Sequence, residues 1–198
     1  WLAIGIILLF VGVTIAPTIA QNTEESQSTS RGNWLYVGGN GPGNYTKIQD
    51  AVDNASAGDT VFVFAGQYHE RVNVTKTIHF LGENKSSTII YYEFVGEPHW
   101  PTPIINIRSD RVTVSNFTVN ITSGLGFCIN LTHASNCSIS NNILQGLYGF
   151  FIGNSSKNNE VRYNIIRSSS YSGSGLCSFY INMHHTNTTG NFIHHNHF

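Results

Sequence analysis

The chain has 198 residues, of which only 11% are charged, and a net charge of −1. That length accommodates one domain with a real core. So few, balanced charges argue against nucleic-acid binding, which needs a basic stripe to neutralise phosphates, and the 40% hydrophobic content argues against disorder.

In chain order, Trp1 to Ala16 is almost wholly apolar and ends at Pro17. This is short for a bilayer span of about 20 residues but suits a signal-peptide core. Thr18-Ile19-Ala20 supplies the small residues of a cleavage site. Residues 1–20 are therefore expected to be a signal peptide, or alternatively an uncleaved N-terminal anchor. Residues 21–32 form a Ser/Thr/Gln/Glu linker. Either reading puts residues 33–198 outside the cytoplasm, secreted or at the cell surface. Membrane contact is expected only through this segment or a further C-terminal anchor.

The folded part opens with a short strand over 33–37 and a glycine-rich loop over 38–43. That loop lacks the Lys-Ser/Thr ending of a phosphate loop. One helix is expected over 47–54, with Ile48, Ala51, Val52 and Ala55 on one face and a capping box of Thr46 and Gln49. Strands are expected over 61–64, 71–75, 78–81, 88–92, 104–107, 111–114 and 117–121. Residues 93–103, with three prolines and Trp100, form a loop thrown out from one coil.

Three loose copies follow, containing Phe127/Ile129/Leu131, Phe150/Ile152 and Phe179/Ile181, each closing on an asparagine. Asn142, Asn164 and Asn191 recur about every 22 to 27 residues, the period of a solenoid. One copy cannot bury its apolar face alone, so the copies stack, with the helix as N-terminal cap. The expected fold is all-β, a single-stranded right-handed parallel β-helix of about five or six coils. Its last copy ends at Phe198 with an open apolar end, so the domain is expected to be truncated there.

Cys128, Cys137 and Cys177 match no zinc or redox spacing. Cys128 aligns with Phe151 and Tyr180 as a packing residue, a Cys128–Cys177 bridge being the alternative. Asn-x-Ser/Thr sequons at Asn44, Asn54, Asn73, Asn84, Asn116, Asn120, Asn130, Asn136, Asn154 and Asn187 mark candidate surface glycosylation.

Lys47-Ile48-Gln49-Asp50-Ala51-Val52, Gly58-Asp59-Thr60-Val61-Phe62-Val63 and Ile78-His79-Phe80-Leu81-Gly82 resemble the opening coils of pectin-lyase-like β-helix proteins. Residues 111–198 resemble the Asn/Ile-rich repeats of NosD-like proteins, which are common on archaeal cell surfaces. Gly66-x-Tyr68-x-Glu70 is similar to the first motif of pectin methylesterases, whose later motifs have no counterpart here. The resemblance implies fold rather than function, since such folds host lyases, hydrolases, esterases, epimerases, adhesins and non-catalytic surface proteins.

Polysaccharide hydrolysis needs two carboxylates facing one bond; lyases of this fold use an acidic calcium cluster and a base. Past Asp110 the chain has a single acid, Glu160. Upstream, Glu70, Glu93, Glu97 and Asp110 remain, with Arg108 or Arg111 as basic partners, and no complete catalytic site is legible. The expected role is therefore structural or carbohydrate-binding in the cell envelope. Trp100, Tyr91, Tyr92, Tyr148 and Tyr163 are the candidate sugar-stacking residues, and a polysaccharide or envelope glycan is the expected partner. The alternative is a lyase or epimerase whose site lies partly outside this chain. A second alternative is a NosD-like copper module. His184, His185, His194, His195 and His197 crowd the last coil, and His195 and His197, expected on one strand face, would bind copper or zinc. No other cofactor is expected.

Overall fold

The computed structural model describes residues 32–94, 102–168, 179–181 and 187–198. Residues 1–31, which include the expected signal peptide and most of the expected linker, lie outside the described residues, as do Trp100, Cys177, His184 and His185. Strand β1 (Trp34–Val37) and helix α1 (Ile48–Asn54) precede the coils. The first coil is β2 (Thr60–Val63), β3 (Gly66–His69) and β4 (Val72–Val74); the second is β5 (His79–Gly82), β6 (Thr88–Phe94) and β7 (Thr102–Ile107). The third is β8 (Thr113–Ser115), β9 (Thr118–Gly124) and β10 (Gly126–Thr132), and the fourth β11 (Ser138–Ser140), β12 (Ile143–Gly146) and β13 (Tyr148–Gly153). The fifth is β14 (Glu160–Arg162), β15 (Ile165–Ser168) and β16 (Phe179–Ile181), and β17 (Phe192–His194) opens a sixth.

Every pairing is parallel and joins corresponding strands of successive coils. Three sheets result: A, ordered β1-β2-β5-β8-β11-β14-β17; B, ordered β15-β12-β9-β6-β3; and C, ordered β16-β13-β10-β7-β4. The chain is a parallel β-helix, as its repeat implied.

Because coils are in register, like residues stack ~4.8 Å apart. On sheet A the inward column runs Leu35, Val61, Phe80, Val114, Ile139, Val161, Ile193. Tyr68, Ile90, Val119, Leu144 and Ile166 form the corresponding column on sheet B. Alternation puts these side chains inside, and the helix at the N-terminal end buries Ile48, Ala51 and Val52. Strand β3 escapes the sequence-based reading because Gly66 resembles a turn residue. Its Tyr68 points inward, and the hydroxyl donates to Phe64 O at 2.9 Å.

The expected capping box does not form: N-cap Lys47 follows Thr46, and no side chain local to the helix caps it. Instead the Glu70 carboxylate, arriving from the next coil, accepts the N–H groups of Ile48 (3.0 Å) and Gln49 (3.2 Å). A full negative charge on these orphan donors is a stronger acceptor than a threonine hydroxyl. The glutamate of the Gly66-x-Tyr68-x-Glu70 motif thus fastens the cap to the first coil.

Two asparagine ladders line the corners of sheet A. Asn164 Oδ1 accepts from both Asn142 N–H (2.9 Å) and Asn142 Nδ2 (3.1 Å), and Asn196 Oδ1 accepts likewise from Asn164 (2.9 and 3.0 Å). Each Nδ2 also donates to a backbone carbonyl, Val114, Ile139 or Val161 in turn. The second ladder links Cys137 N–H to Asn159 Oδ1 (2.8 Å) and Asn159 to Asn191 (2.9 and 3.0 Å). The expected column Asn142-Asn164-Asn191 is therefore corrected to Asn142-Asn164-Asn196. The final step is 32 residues, and Asn191 belongs to the other corner. Before each ladder residue the chain turns through the left-handed region at Asn116 (φ 65°), Asn141 (57°), Tyr163 (56°) and His195 (52°). Asparagine and histidine are among the side chains that tolerate this conformation; tyrosine there is less favoured.

Cys128 is paired in register with neither Phe151 nor Tyr180, which stand opposite Asn130. Burial pushes its thiol up to about 12 and that of Cys137 to about 11, and both are free cysteines. Unfolded thiols ionise near the ordinary value of 9.0. Between these values the unfolded chain binds fewer protons than the folded one, so this contribution is complete below pH 9 and is lost as pH rises further. Denaturation midpoints are expected to fall on alkaline titration above pH 9, and less steeply in Cys128→Ala; a flat profile contradicts this.

Candidate functional site

The outward residues where sheet B meets sheet C form a continuous polar and aromatic surface. His69 and Tyr91 are register partners on β3 and β6. The His69 ring stacks on both Tyr91 (5.1 Å) and Tyr92 (5.2 Å). The Arg71 guanidinium lies over the rings of Tyr92 (5.6 Å) and Phe94 (5.5 Å), a cation–π arrangement. Its Nε donates to Pro103 O. Pro103 faces Phe127 across the next pairing, and Phe127 faces Tyr148. The Phe127 ring packs against Tyr148 (5.3 Å) and Phe151 (5.0 Å).

Beside these rings on sheet C, three asparagines make an exterior row. Asn106 Nδ2 donates to Asn73 Oδ1 (3.2 Å), and Asn130 Nδ2 donates to Asn106 Oδ1 (2.9 Å). Apolar ring faces bordered by amides can stack on pyranose C–H groups and hydrogen-bond to sugar hydroxyls. Strand β6 runs to Phe94 and β7 begins at Thr102, so both ends of the expected loop over 93–103 are strand instead; Trp100 lies outside the described residues.

The predicted aromatics do not all gather here. Tyr91, Tyr92 and Tyr148 line the B–C surface, whereas Tyr163, 51% exposed, stands at the sheet A corner. There its ring packs on His195 at 5.3 Å. Sequence reading missed His69, Arg71 and Phe127, because only the register brings them beside the tyrosines.

The predicted histidine pair is also rearranged. His195 sits in the left-handed corner and His197 beyond Asn196, bridging to Ile165, so they do not share a strand face. His195 meets His194 instead, with Nδ1 atoms 2.6 Å apart. His194 Nε2 lies 3.0 Å from Glu160 Oε1, and Glu160 Oε2 is 3.0 Å from Arg162 Nε. Among the described residues no group of three His, Cys, Asp or Glu side chains could hold a metal ion.

Most described acids that were candidates for chemistry hold the backbone. Glu70 caps α1 and Asp110 accepts from Ser135 N–H (2.7 Å), while Glu97 lies outside the described residues; Glu83, not a candidate, accepts from Ala65 N–H (2.7 Å). Asp59, buried, accepts from Asn33 and Ser56 N–H groups (2.7 Å each). Glu93 is exposed beside the B–C surface. None of the ten sequon asparagines is buried, whereas ladder residues Asn142, Asn159 and Asn164 are. No helix among the described residues is long and apolar enough to cross a membrane.

No protein-family model matches the sequence, and no curated protein matches it. Among solved structures the chain is similar to a pectin methylesterase in complex with a hexasaccharide, at 13% identity and TM-score 0.53, covering 80% of this chain and 65% of that one. It is also similar to a pectin methylesterase mutant with another hexasaccharide, at 15% identity and TM-score 0.50, covering 72% and 58% respectively. The chain thus spans less than two thirds of either protein. The likeness establishes the fold, a right-handed parallel β-helix.

Proposed function

We propose that this is a secreted or cell-surface β-helix protein that binds polysaccharide across the B–C surface, without catalysing its cleavage. The observation carrying this reading is two groups of ring contacts, His69 with Tyr91 and Tyr92 under Arg71, and Phe127 with Tyr148, linked through Pro103 beside the amide row. A rigid solenoid presents it preorganised, which lowers the entropic cost of binding an extended chain. Four acids spent on backbone N–H groups support the non-catalytic part. The test is affinity electrophoresis in polygalacturonate and neutral-glycan gels. Phe127→Ala/Tyr148→Ala is expected to weaken retardation at least tenfold in one of them, at unchanged thermal stability. Unaltered retardation, or release of unsaturated uronate products, sinks the proposal and favours the lyase or epimerase reading.

A second reading, copper or zinc binding, is supported by the converging Nδ1 atoms of His194 and His195. Glu160 on Nε2 would hold His194 in the tautomer with an unprotonated Nδ1, which accepts from His195 Nδ1–H and would have to exchange that proton for the metal. Calorimetric titration of Cu²⁺ or Zn²⁺ showing the same binding in His194→Ala/His195→Ala removes it. Surface glycosylation is proposed for the exposed sequons away from the amide row, Asn54, Asn84, Asn136 and Asn187, and intact mass before and after glycosidase treatment of secreted protein tests it.

A further inference from the structure

Sheet A carries a second aromatic surface, remote in register from the first. Alternation directs Trp34 and Tyr36 outward from β1, and Phe62 and Phe64 outward from β2 and the residues after it. Trp34 is 52% and Tyr36 41% exposed. Neighbouring ring centroids lie 5.2 to 6.1 Å apart: Trp34–Tyr36 6.1, Trp34–Phe62 5.9, Tyr36–Phe64 6.0 and Phe62–Phe64 5.2 Å. Four large rings in contact on an outer sheet face, half-open to water, gain nothing for the core, which the opposite face supplies through Leu35 and Val61. Exposed apolar platforms of this kind mark ligand or partner surfaces.

Register extends the platform into a strip. Beyond Phe62 the two outward columns continue through His79, Thr113 and Ser138 and through Leu81, Ser115 and Ser140. None of these is Lys, Arg, Asp or Glu, and all but Leu81 can hydrogen-bond, with His79 Nδ1 2.9 Å from Thr113 Oγ1. On the sheet A strands β1, β2, β5, β8 and β11 the outward positions hold no Lys, Arg, Asp or Glu. Charge begins only at β14, with Glu160 and Arg162 paired to each other. Carboxylates border the aromatic end, since Asp59 accepts from Asn33 N–H beside Trp34 and Glu83 from Ala65 N–H beside Phe64. Lys85 is bonded to Asn141 at the corner beyond Ser140.

We propose that this strip binds a neutral, extended polysaccharide running across the strands of sheet A. Sugar rings stack on the Trp34–Tyr36–Phe62–Phe64 platform, and their hydroxyls meet the Ser/Thr rows. A polyuronate carries one carboxylate per residue and meets no cation at the outward positions of β1, β2, β5, β8 and β11 but two carboxylates flanking the aromatic platform, so it is disfavoured there. Charge therefore selects the occupant. This goes beyond the B–C surface reading and can fail without it.

The experiment is native affinity electrophoresis of the wild-type protein, Trp34→Ala, Tyr36→Ala and Tyr148→Ala. The gels contain hydroxyethylcellulose, mannan or polygalacturonate, and size exclusion runs alongside. Trp34 and Tyr36 are exposed, so their variants are expected to fold, which circular dichroism checks. Trp34→Ala is expected to weaken retardation by a neutral glycan at least tenfold, leave any polygalacturonate retardation unchanged, and leave the elution volume unchanged. Neutral-glycan retardation that survives Trp34→Ala and Tyr36→Ala overturns the proposal. So does polygalacturonate retardation lost with Trp34, or a dimer that Trp34→Ala dissociates, which assigns the platform to a second copy. Retardation sensitive only to Tyr148 overturns this inference and leaves the B–C reading standing. Absence of retardation in every gel overturns both.

Discussion

Asn164→Ala is expected to lower the stability of the β-helix by about 3–5 kcal/mol in equilibrium denaturation. Asn164 is buried, and its Oδ1 is acceptor to two donors of Asn142, while its Nδ2 donates to Ile139 O and Asn196 Oδ1. Truncation strands the Asn142 backbone and side-chain donors in a site that solvent does not reach. Asn164→Asp is expected to cost more at neutral pH. Aspartate keeps an acceptor for Asn142 but turns an oxygen toward Ile139 O and Asn196 Oδ1, where the native amide donates. Alanine at exposed Asn187 serves as the comparison, within about 0.5 kcal/mol of wild type. Equal losses at both positions would show that the ladder contributes nothing beyond local turn propensity.

The second large effect is expected at Phe80, the widest side chain in the inward column of sheet A. Its ring lies 4.4 Å from that of Phe117, and both are wholly buried. Phe80→Ala leaves a cavity between the second and third coils and is expected to cost about 3–5 kcal/mol. Phe80→Leu, which keeps most of the volume, is expected to cost well under half of that. In a solenoid each coil contacts only its neighbours. Hydrogen exchange in Phe80→Ala should therefore accelerate first in β2, β5 and β8, and uniform acceleration throughout would contradict the stacking picture.

Strand alternation and the asparagine recurrence were readable locally, because a side chain's face depends only on its parity along the strand. That is why Ile129 and Leu131 could be placed inside and Asn130 outside without coordinates, whereas Phe127, of the same parity, stands outward because Cys128 and Ile129 are buried in succession and break the alternation. The column of Asn142 and Asn164 was legible for the same reason. Its third member was not, since the last coil offers Asn191 and Asn196, five residues apart on either side of β17, and pairing with β14 makes the choice. The helix cap failed differently: Thr46 is adjacent in sequence, but Glu70, 22 residues away, brings a charged acceptor to the same N–H groups.

The candidate surfaces divide in the same way. Trp34/Tyr36 and Phe62/Phe64 each carry the i, i+2 spacing that puts two rings on one face, so each pair could have been found from sequence. That the pairs form one platform depends on β1 lying parallel to β2 with Tyr36 opposite Phe62. By itself, then, the sequence determined the class of fold, the inward residues and the scarcity of acid in the later coils, all properties of short windows or composition. Only the tertiary structure decided which residues stand side by side one coil apart. Those contacts cross some 20 to 30 residues of chain, and a single shift in turn length re-pairs every side chain beyond it.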